Sequence, residues 1–326
     1  MVAQPPAAPA ARPDYNVAPR PPVTHPVDQD SVPLYRFLAP RFWPLWFALG
    51  SVRLLTFLPL TGQRAAAWLI GRASYWLVPE RRRIATINID LCFPELGPAE
   101  RKQLVKRHFH ALGMSVIETG MCWWASDRRV RRRVTYTGLE HLEGTLARGN
   151  GAILLTGHFT TLDLGGRFMT LVAPVAAMYR EADNPLMDEI MRRGRSRAAD
   201  AVIVKQDVRG MLRQLKANRA IWYAPDQSHR RQNFAVVPFF GVPAGTNTAT
   251  SKFAKLSRAP VVPFFPVRLP GSQGYRVDIL PPLDHFPSGD AAADAARTNA
   301  LLEARVRLCP EQYLWVHKRF KRPTPE

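Results

Sequence analysis

A histidine and an aspartate, His158 and Asp163, follow directly on a run of aliphatic residues in the segment ILLTGHFTTLDLGG. The run Ala152–Leu155 is typical of a buried strand, and Gly157 is suited to the turn that ends it. The pair is therefore expected at the carboxyl end of a strand, the edge at which α/β sheets bind their ligands. An imidazole held by a carboxylate at that edge can act as a general base.

Two interpretations of this pair are open from the residues alone. Five positions along a straight helix separate two side chains by about 140°, so the pair meets only if His158 lies in the turn before a helix capped by Thr160 or Thr161. In the first interpretation, Asp163 holds the imidazole in the tautomer whose other nitrogen is free as a base. In the second, His158 is a structural histidine and Asp163 is a solvated helix residue.

Other common catalytic and metal-binding patterns are missing from the sequence. Neither the H-E-x-x-H pattern of zinc proteases nor the G-x-S-x-G turn of serine hydrolases occurs. Cys92, Cys122 and Cys309 are far apart and form no Cys/His metal spacing, which argues against a structural zinc site and a disulfide framework. A base without an obvious protein nucleophile remains, and this combination suits the activation of a substrate hydroxyl.

Strand-like and helix-like segments alternate along most of the chain. Besides Ala152–Leu155, the segments PVAAMY, AIWYAPD, APVVPFFPVRL and GYRVDILPP are typical of strands. Helices are predicted from Pro98 onward and after the N-caps Asn184 and Asp207. This alternation predicts an α/β fold with a mostly parallel central sheet flanked by helices.

The N-terminal region divides into a polar and an apolar part. Residues 1–33 are rich in Pro and Ala, lack an apolar period and a signal-peptide pattern, and are expected to form a disordered tail. Residues 34–80 include the apolar stretch 42–60, which is nearly long enough to cross a bilayer but contains Arg53. A spanning helix, an interfacial anchor and a core helix are all open, and we expect an N-terminal hydrophobic membrane-anchoring helix.

The charge balance indicates an anionic partner. Lys and Arg number 45 against 26 Asp and Glu, which gives a net charge of +19. Nucleic acid, an anionic membrane surface, and an acidic substrate or carrier protein would each suit this charge. No nucleic-acid-binding module is recognisable, which argues against the first. The basic clusters are residues 81–83, 128–133, 192–197 and 230–231.

A resemblance to a known family is carried by HFTTLD together with several other blocks. HFTTLD is similar to the H-x4-D/E signature of glycerolipid and lipid A acyltransferases. The surrounding blocks, in order and at similar spacing from Tyr35 to Pro323, resemble the late acyltransferases of lipid A biosynthesis, the family of the lauroyl and myristoyl transferases. These blocks are NIDLCFPEL, IETGMCWW, YREADNPLMD, IWYAPDQ, VVPFFPVR and PEQYLWVHKRFKRP.

The resemblance implies an acyltransferase domain over residues 81–326, after the tail (1–33) and the anchor (34–80). It implies transfer of a fatty acyl group from acyl carrier protein to the hydroxyl of a 3-hydroxyacyl chain. The acceptor would be an anionic tetraacyl lipid A precursor bearing 3-deoxy-octulosonate (Kdo) sugars; another glycolipid is the alternative. The enzyme would lie at the bacterial inner membrane, facing the cytoplasm, with His158 as base and Asp163 as its support, and with no cofactor or metal.

Four further residues are candidates for substrate binding. Arg180 follows the strand PVAAMY, where a guanidinium would bind phosphate or form a structural ion pair. Asn184 would bind substrate or only cap a helix. Asp226 would bind substrate or fix a loop through backbone N–H groups. Gln227 begins a departure from the family pattern, because SHRRQN replaces an acidic turn containing Gly and Pro.

Overall fold

A computed structural model describes residues 32–204, 206–227 and 234–320. Residues 1–31 of the predicted tail, and the departure SHRRQN at residues 228–233, lie outside the described part. The described helices are α1 (Trp43–Phe57), α2 (Leu60–Leu77), α3 (Pro79–Cys92), α4 (Pro98–Trp124), α5 (Asp127–Arg131), α6 (Leu139–Leu146), α7 (Leu162–Thr170), α8 (Pro185–Ser196), α9 (Val208–Lys216), α10 (Ala249–Ser257) and α11 (Ala291–Leu308). The described strands are β1 (Val134–Thr137), β2 (Ala152–Leu155), β3 (Val175–Tyr179), β4 (Ala201–Val204), β5 (Ala220–Tyr223), β6 (Phe234–Phe239), β7 (Val242–Asn247), β8 (Val261–Arg268) and β9 (Tyr275–Ile279).

The central sheet has the strand order β1-β9-β8-β2-β5-β3-β4. Its neighbouring strands run parallel, with the exception of the antiparallel pair β8 and β9. Strands β6 and β7 form a separate antiparallel hairpin that packs against α11. The predicted α/β fold with a mostly parallel sheet flanked by helices is confirmed.

Strand β2 lies in the middle of the sheet and is buried along its whole length. Its side chains alternate between the two faces: Leu154 belongs to the core that contains Phe168 of α7, whereas Ile153 belongs to the core that contains Met211 of α9 and Phe253 of α10. Because helices cover both faces, every position of this strand is apolar. The chain leaves the sheet at the carboxyl end of β2, and His158 lies in the connection from β2 to α7.

The N-terminal apolar stretch does not form one continuous helix. Helix α1 ends at Phe57, Leu58 is extended, and α2 begins after Pro59. A proline lacks the backbone N–H that would continue the helix and biases the preceding residue toward extended geometry. Within the described residues, no helix combines the length and apolar character needed to cross a bilayer. The predicted membrane-anchoring helix is therefore not confirmed.

Helices α1 and α2 pack instead against the long helix α4. Two glycines allow a close approach of α2 and α4, because a Cβ at Gly71 would collide with the carbonyl oxygen of Phe109 and one at Gly113 with that of Ala67. Leu49 of α1 and Ala67 of α2 are buried in clusters that include residues of α4. The opposite faces of α1 and α2 are rich in exposed apolar side chains, including Phe47 at 80% exposure.

Candidate active site

His158 lies in the connection between β2 and α7, as the sequence predicted, and its ring is held by Asp226. The two groups are joined by a hydrogen bond of 2.5 Å between His158 Nδ1 and Asp226 Oδ1. The backbone N–H of His158 donates to Asp226 Oδ2 at 2.9 Å, and the hydroxyl of Tyr313 donates to the same oxygen at 2.9 Å. Asp226 follows β5, the neighbour of β2, so the two residues meet at the carboxyl edge of the sheet.

The backbone around His158 is fixed by the segment that follows α11. The N–H of Leu314 donates to the carbonyl oxygen of His158 at 2.9 Å, and the N–H of Thr160 donates to that of Gln312 at 2.7 Å. Phe159 and Tyr313 form an isolated antiparallel bridge, with their rings edge to face. The imidazole is thus positioned through both its ring and its main chain.

The predicted contact between His158 and Asp163 is wrong. Asp163 lies in the first turn of α7, where its carboxylate accepts hydrogen bonds from Arg195 of α8 at 3.0 Å and from Thr119 of α4 at 3.4 Å. The helix directs this side chain toward α4 and α8, whereas the preceding loop directs His158 toward the end of β5. Thr161 precedes α7, but its hydroxyl donates to the carbonyl oxygen of Pro266 and makes no capping bond.

The electrostatics of the site keep Asp226 ionised. Its side chain is 3% exposed, and burial alone would raise the pKa of its carboxyl. The attraction of His158 and the hydrogen bonds from that residue outweigh burial and lower the pKa of Asp226 to about 2. Burial and the charge of Asp226 raise the pKa of Tyr313 and of Tyr223 above the usual range, so both phenols stay protonated. The hydrogen-bond acceptor that faces His158 Nδ1 is therefore an ionised carboxylate.

A cavity of about 310 Å³ opens in front of His158. It brings together His158, Arg180 and Gln227 of the predicted site, and Arg195 and Trp222 also line it. Among the described lining residues there is no serine, threonine or cysteine. The indole N–H of Trp222 is buried and has no acceptor among the residues that the structure describes. The cavity is thus lined by one histidine and two arginines.

Three of the predicted substrate-binding residues have different surroundings in the structure. The Arg180 side chain is 66% exposed and lies 3.6 Å from Asp183 Oδ1, so its guanidinium is open to solvent at the cavity. Asn184 caps α8, because its side-chain oxygen accepts from the N–H groups of Leu186 and Met187. Asp226 lies behind His158 and accepts its backbone N–H, which matches the loop-fixing alternative. Substrate contacts by these residues stay predictions.

Sequence reasoning missed the roles of three residues in this site: the pairing of Asp226 with His158, and the positions of Tyr313 and Arg195. Asp226 had been placed at the correct edge from its position after a strand, but a hydrogen bond across two connections has no local spacing signal. Tyr313 lies in the block PEQYLWVHKRFKRP, so only the resemblance pointed to that segment. Arg195 was one of several arginines in a basic cluster, and nothing local distinguished it.

Neither the cysteines nor a metal site among the described residues adds a further reactive group. Cys92, Cys122 and Cys309 are free and buried, and burial raises the pKa of the Cys122 and Cys309 thiols to about 12. Across the described ranges, no group of three or more His, Cys, Asp and Glu side chains is arranged to hold a metal ion. The reactive group on which the cavity converges is the His158 imidazole.

These features define an α/β protein with a carboxylate-held histidine beside basic side chains at the carboxyl edge of a mostly parallel sheet. Comparison with known sequences specifies the class further. The chain belongs to the family of bacterial lipid A biosynthesis acyltransferases, whose pattern it matches over residues 34–322. The resemblance found in the sequence is confirmed, and the protein is an acyltransferase.

Curated relatives match along nearly their whole length. The lipid A biosynthesis lauroyltransferase of Escherichia coli (strain K12) is 37% identical, over 87% of this chain and 93% of the relative. The palmitoleoyltransferase of the same organism is also 37% identical, over 89% of this chain and 95% of the relative. Its myristoyltransferase is 27% identical, over 89% of this chain and 90% of the relative. These relatives differ in the acyl chain that their names specify.

Proposed function

We propose that this protein transfers a fatty acyl group from acyl carrier protein to the hydroxyl of a 3-hydroxyacyl chain on a Kdo-bearing lipid A precursor, with His158 as the general base. The observation that carries this proposal is the hydrogen bond of 2.5 Å between His158 Nδ1 and Asp226. When Nδ1 carries the proton, Nε2 has a free lone pair. His158 lines the cavity, where this lone pair can act on a substrate. Asp226 replaces Asp163 as the group that orients the ring.

The proposed reaction begins when His158 Nε2 removes the proton from the acceptor hydroxyl as its oxygen attacks the thioester carbon. The carbon–oxygen bond forms, and the tetrahedral intermediate then expels the carrier thiolate. The imidazolium returns its proton to that thiolate, so the base is regenerated. Asp226 stabilises the imidazolium through the bond to Nδ1. Because a thioester is already activated, this route needs neither a cofactor nor a covalent enzyme intermediate.

Asp163 acts in this proposal through Arg195. The ion pair of 3.0 Å between them holds a guanidinium at the cavity wall, where the Arg195 side chain is 13% exposed. Arg180 supplies a second guanidinium and Gln227 an amide, and these groups suit phosphate and carboxylate oxygens of an anionic acceptor. Asp163 is thus a positioning residue, and Asn184 supports Arg180 by capping the helix that follows it.

We further propose that α1 and α2 attach the protein to the cytoplasmic face of the bacterial inner membrane without requiring a spanning helix. Phe47, Leu54 and Phe57 of α1 are 80%, 70% and 66% exposed, and Trp76 and Leu77 of α2 are 63% and 78% exposed. An apolar surface of this kind on a helix pair is typical of an interfacial anchor. The net charge of +19 would add attraction to anionic lipids and to an acidic carrier protein.

The test compares wild type with His158→Ala, using carrier protein charged with chains of various lengths and the tetraacyl Kdo-bearing acceptor, with products identified by mass spectrometry. Wild type should add one acyl group, and the variant should lose about 10²–10⁴-fold in rate. His141→Ala, a histidine of α6 outside the cavity, is the matched control and should retain the rate. A His158→Ala enzyme with unchanged rate would remove the histidine from its role, and no product with wild type would reject this donor and acceptor.

A further inference from the structure

A second cleft, with a volume of about 460 Å³, lies between α1, the end of α4 and α8. Helix α8 separates it from the catalytic cavity. Met191 and Arg195 of this helix line the catalytic cavity, whereas Arg193 and Arg197 line the second cleft. The mechanism proposed above uses none of the residues of the second cleft.

The floor of the cleft is apolar and partly unfilled. It includes Leu49 of α1, Trp123 and Trp124 of α4, and Ile190 of α8. Gly50 also lines it, and a Cβ added there would meet no atom within 4 Å. An aromatic and aliphatic surface with unfilled space beside it is suited to a hydrocarbon chain.

The rim of the cleft is basic. Arg53, Arg193 and Arg197 line it, and no acidic residue does so within the described part of the chain. Arg193 is paired with Glu189 and donates to the carbonyl oxygen of Val32, and Arg197 donates to that of Trp123 at 3.3 Å. The Arg53 side chain has no hydrogen-bond or ion-pair partner among the described residues. The charge that interrupts the apolar N-terminal stretch is therefore one of the residues that line this cleft.

The floor also contains an unused hydrogen-bond donor. Trp123 is 6% exposed, and its indole nitrogen is buried without an acceptor in the described structure. A buried N–H that has no acceptor costs free energy in the unliganded protein.

We propose that this cleft binds a phosphate-bearing lipid, with the phosphate on the three arginines and an acyl chain across the floor. Guanidinium groups suit phosphate oxygens because they donate in a planar fork. A small soluble anion would not use the apolar floor, and a neutral lipid would not use the arginines. The volume is within the range of small-molecule sites. Binding at this cleft does not depend on the proposed acyl transfer.

The test measures binding of two phosphate-bearing probes to the full chain by isothermal titration: dioctanoyl phosphatidylglycerol below its micellar concentration, and the phosphorylated lipid A precursor in detergent micelles. Dioctanoylglycerol, which has no phosphate, is the reference lipid. Arg53→Gln combined with Arg197→Gln should weaken the binding of a phosphate-bearing probe at least about tenfold. The same variant should leave the binding of the reference lipid unchanged. Gly50→Leu should weaken the binding of the reference lipid as well, because the leucine side chain fills space at the floor of the cleft.

Arg209→Gln on α9 removes the same charge outside the cleft and should change nothing. Loss of phosphatidylglycerol binding in the cleft variants would identify a glycerophospholipid as the ligand, and loss of precursor binding would identify the acceptor. Unchanged affinity for both probes in the arginine and Gly50 variants would overturn the proposal. Titration needs no turnover, so an enzyme that fails the acyl-transfer assay would still give a decisive result here.

Discussion

The sheet edge around His158 and the helix pair α1–α2 differ in which kind of group is buried and which is exposed. At the sheet edge polar groups are buried and bonded to one another: Asp226 is 3% exposed and accepts three hydrogen bonds. On the helix pair apolar groups are exposed, with Phe47 at 80% and Leu77 at 78%. The first arrangement fixes one histidine in one orientation, whereas the second leaves a surface that water solvates poorly.

The contrast explains why the two regions should respond differently to substitution. A buried charged group is costly to leave without its partner, so a single change to a charged group of the sheet edge should have a large and local effect. An exposed apolar surface acts through its total area, so single changes there should have small and additive effects. Five predictions test this contrast.

Asp226→Asn should produce the largest effect on turnover. The amide has nearly the same shape but no charge, so it neither stabilises an imidazolium nor fixes the tautomer of His158. We expect kcat to fall by about 10²–10⁴-fold, measured with carrier-bound acyl donor and lipid acceptor, and vesicle binding to stay unchanged.

Asp163→Asn is the matched comparison for Asp226→Asn, because it alters the acid that the H-x4-D pattern pairs with His158. Its carboxylate holds Arg195 instead, so the expected result is a rise in KM for the acceptor that exceeds the fall in kcat. If Asp163→Asn lowered kcat as far as Asp226→Asn did, with KM unchanged, the assignment of the two acids would have to be reversed.

Glu118→Ala should destabilise the contact between the central sheet and α4, the helix against which α1 and α2 pack. Glu118 of α4 forms two hydrogen bonds, of 2.6 and 2.8 Å, with Arg268 at the end of β8, and the two side chains are 1% and 9% exposed. Removing one partner leaves a buried charge uncompensated, which costs about 3–5 kcal/mol of the free energy of unfolding. Urea unfolding measures this, and exposed Glu143→Ala should stay within about 0.5 kcal/mol of wild type.

The sequence predicted elements better than contacts. Buried strands such as β2 and capped helices such as α8 have local patterns, and the structure confirms them because propensity, capping and burial agree there. The partner of His158 could not be predicted in this way. The spacing of His158 and Asp163 describes positions along one chain, whereas the bond to Asp226 depends on the order of strands in the sheet. The break at Pro59 was visible as a residue, but its effect on the length of α1 required the geometry.

Phe47→Ser combined with Leu77→Ser should weaken membrane attachment without altering the catalytic site. Each change removes an apolar side chain worth up to about 2 kcal/mol if it enters lipid, so partition onto anionic vesicles should fall at least about tenfold. Flotation with vesicles gives the bound fraction. Leu256→Ser on α10, also exposed at 55%, should have no effect. An unchanged bound fraction in the double variant would mean that the helix pair is not the attachment surface.

Tyr313→Phe should have the smallest effect, because Asp226 keeps both hydrogen bonds from His158 when the phenol donor is lost. A hydrogen bond of this kind contributes about 1 kcal/mol, so kcat should fall roughly fivefold. Tyr136→Phe is the matched control: its hydroxyl is also buried and donates to the carbonyl oxygen of Phe168 at 2.8 Å, away from the cavity. Both variants should lose similar stability on urea unfolding, and only Tyr313→Phe should lose rate. Equal rate losses in the two would mean that Tyr313 acts through general packing rather than through Asp226.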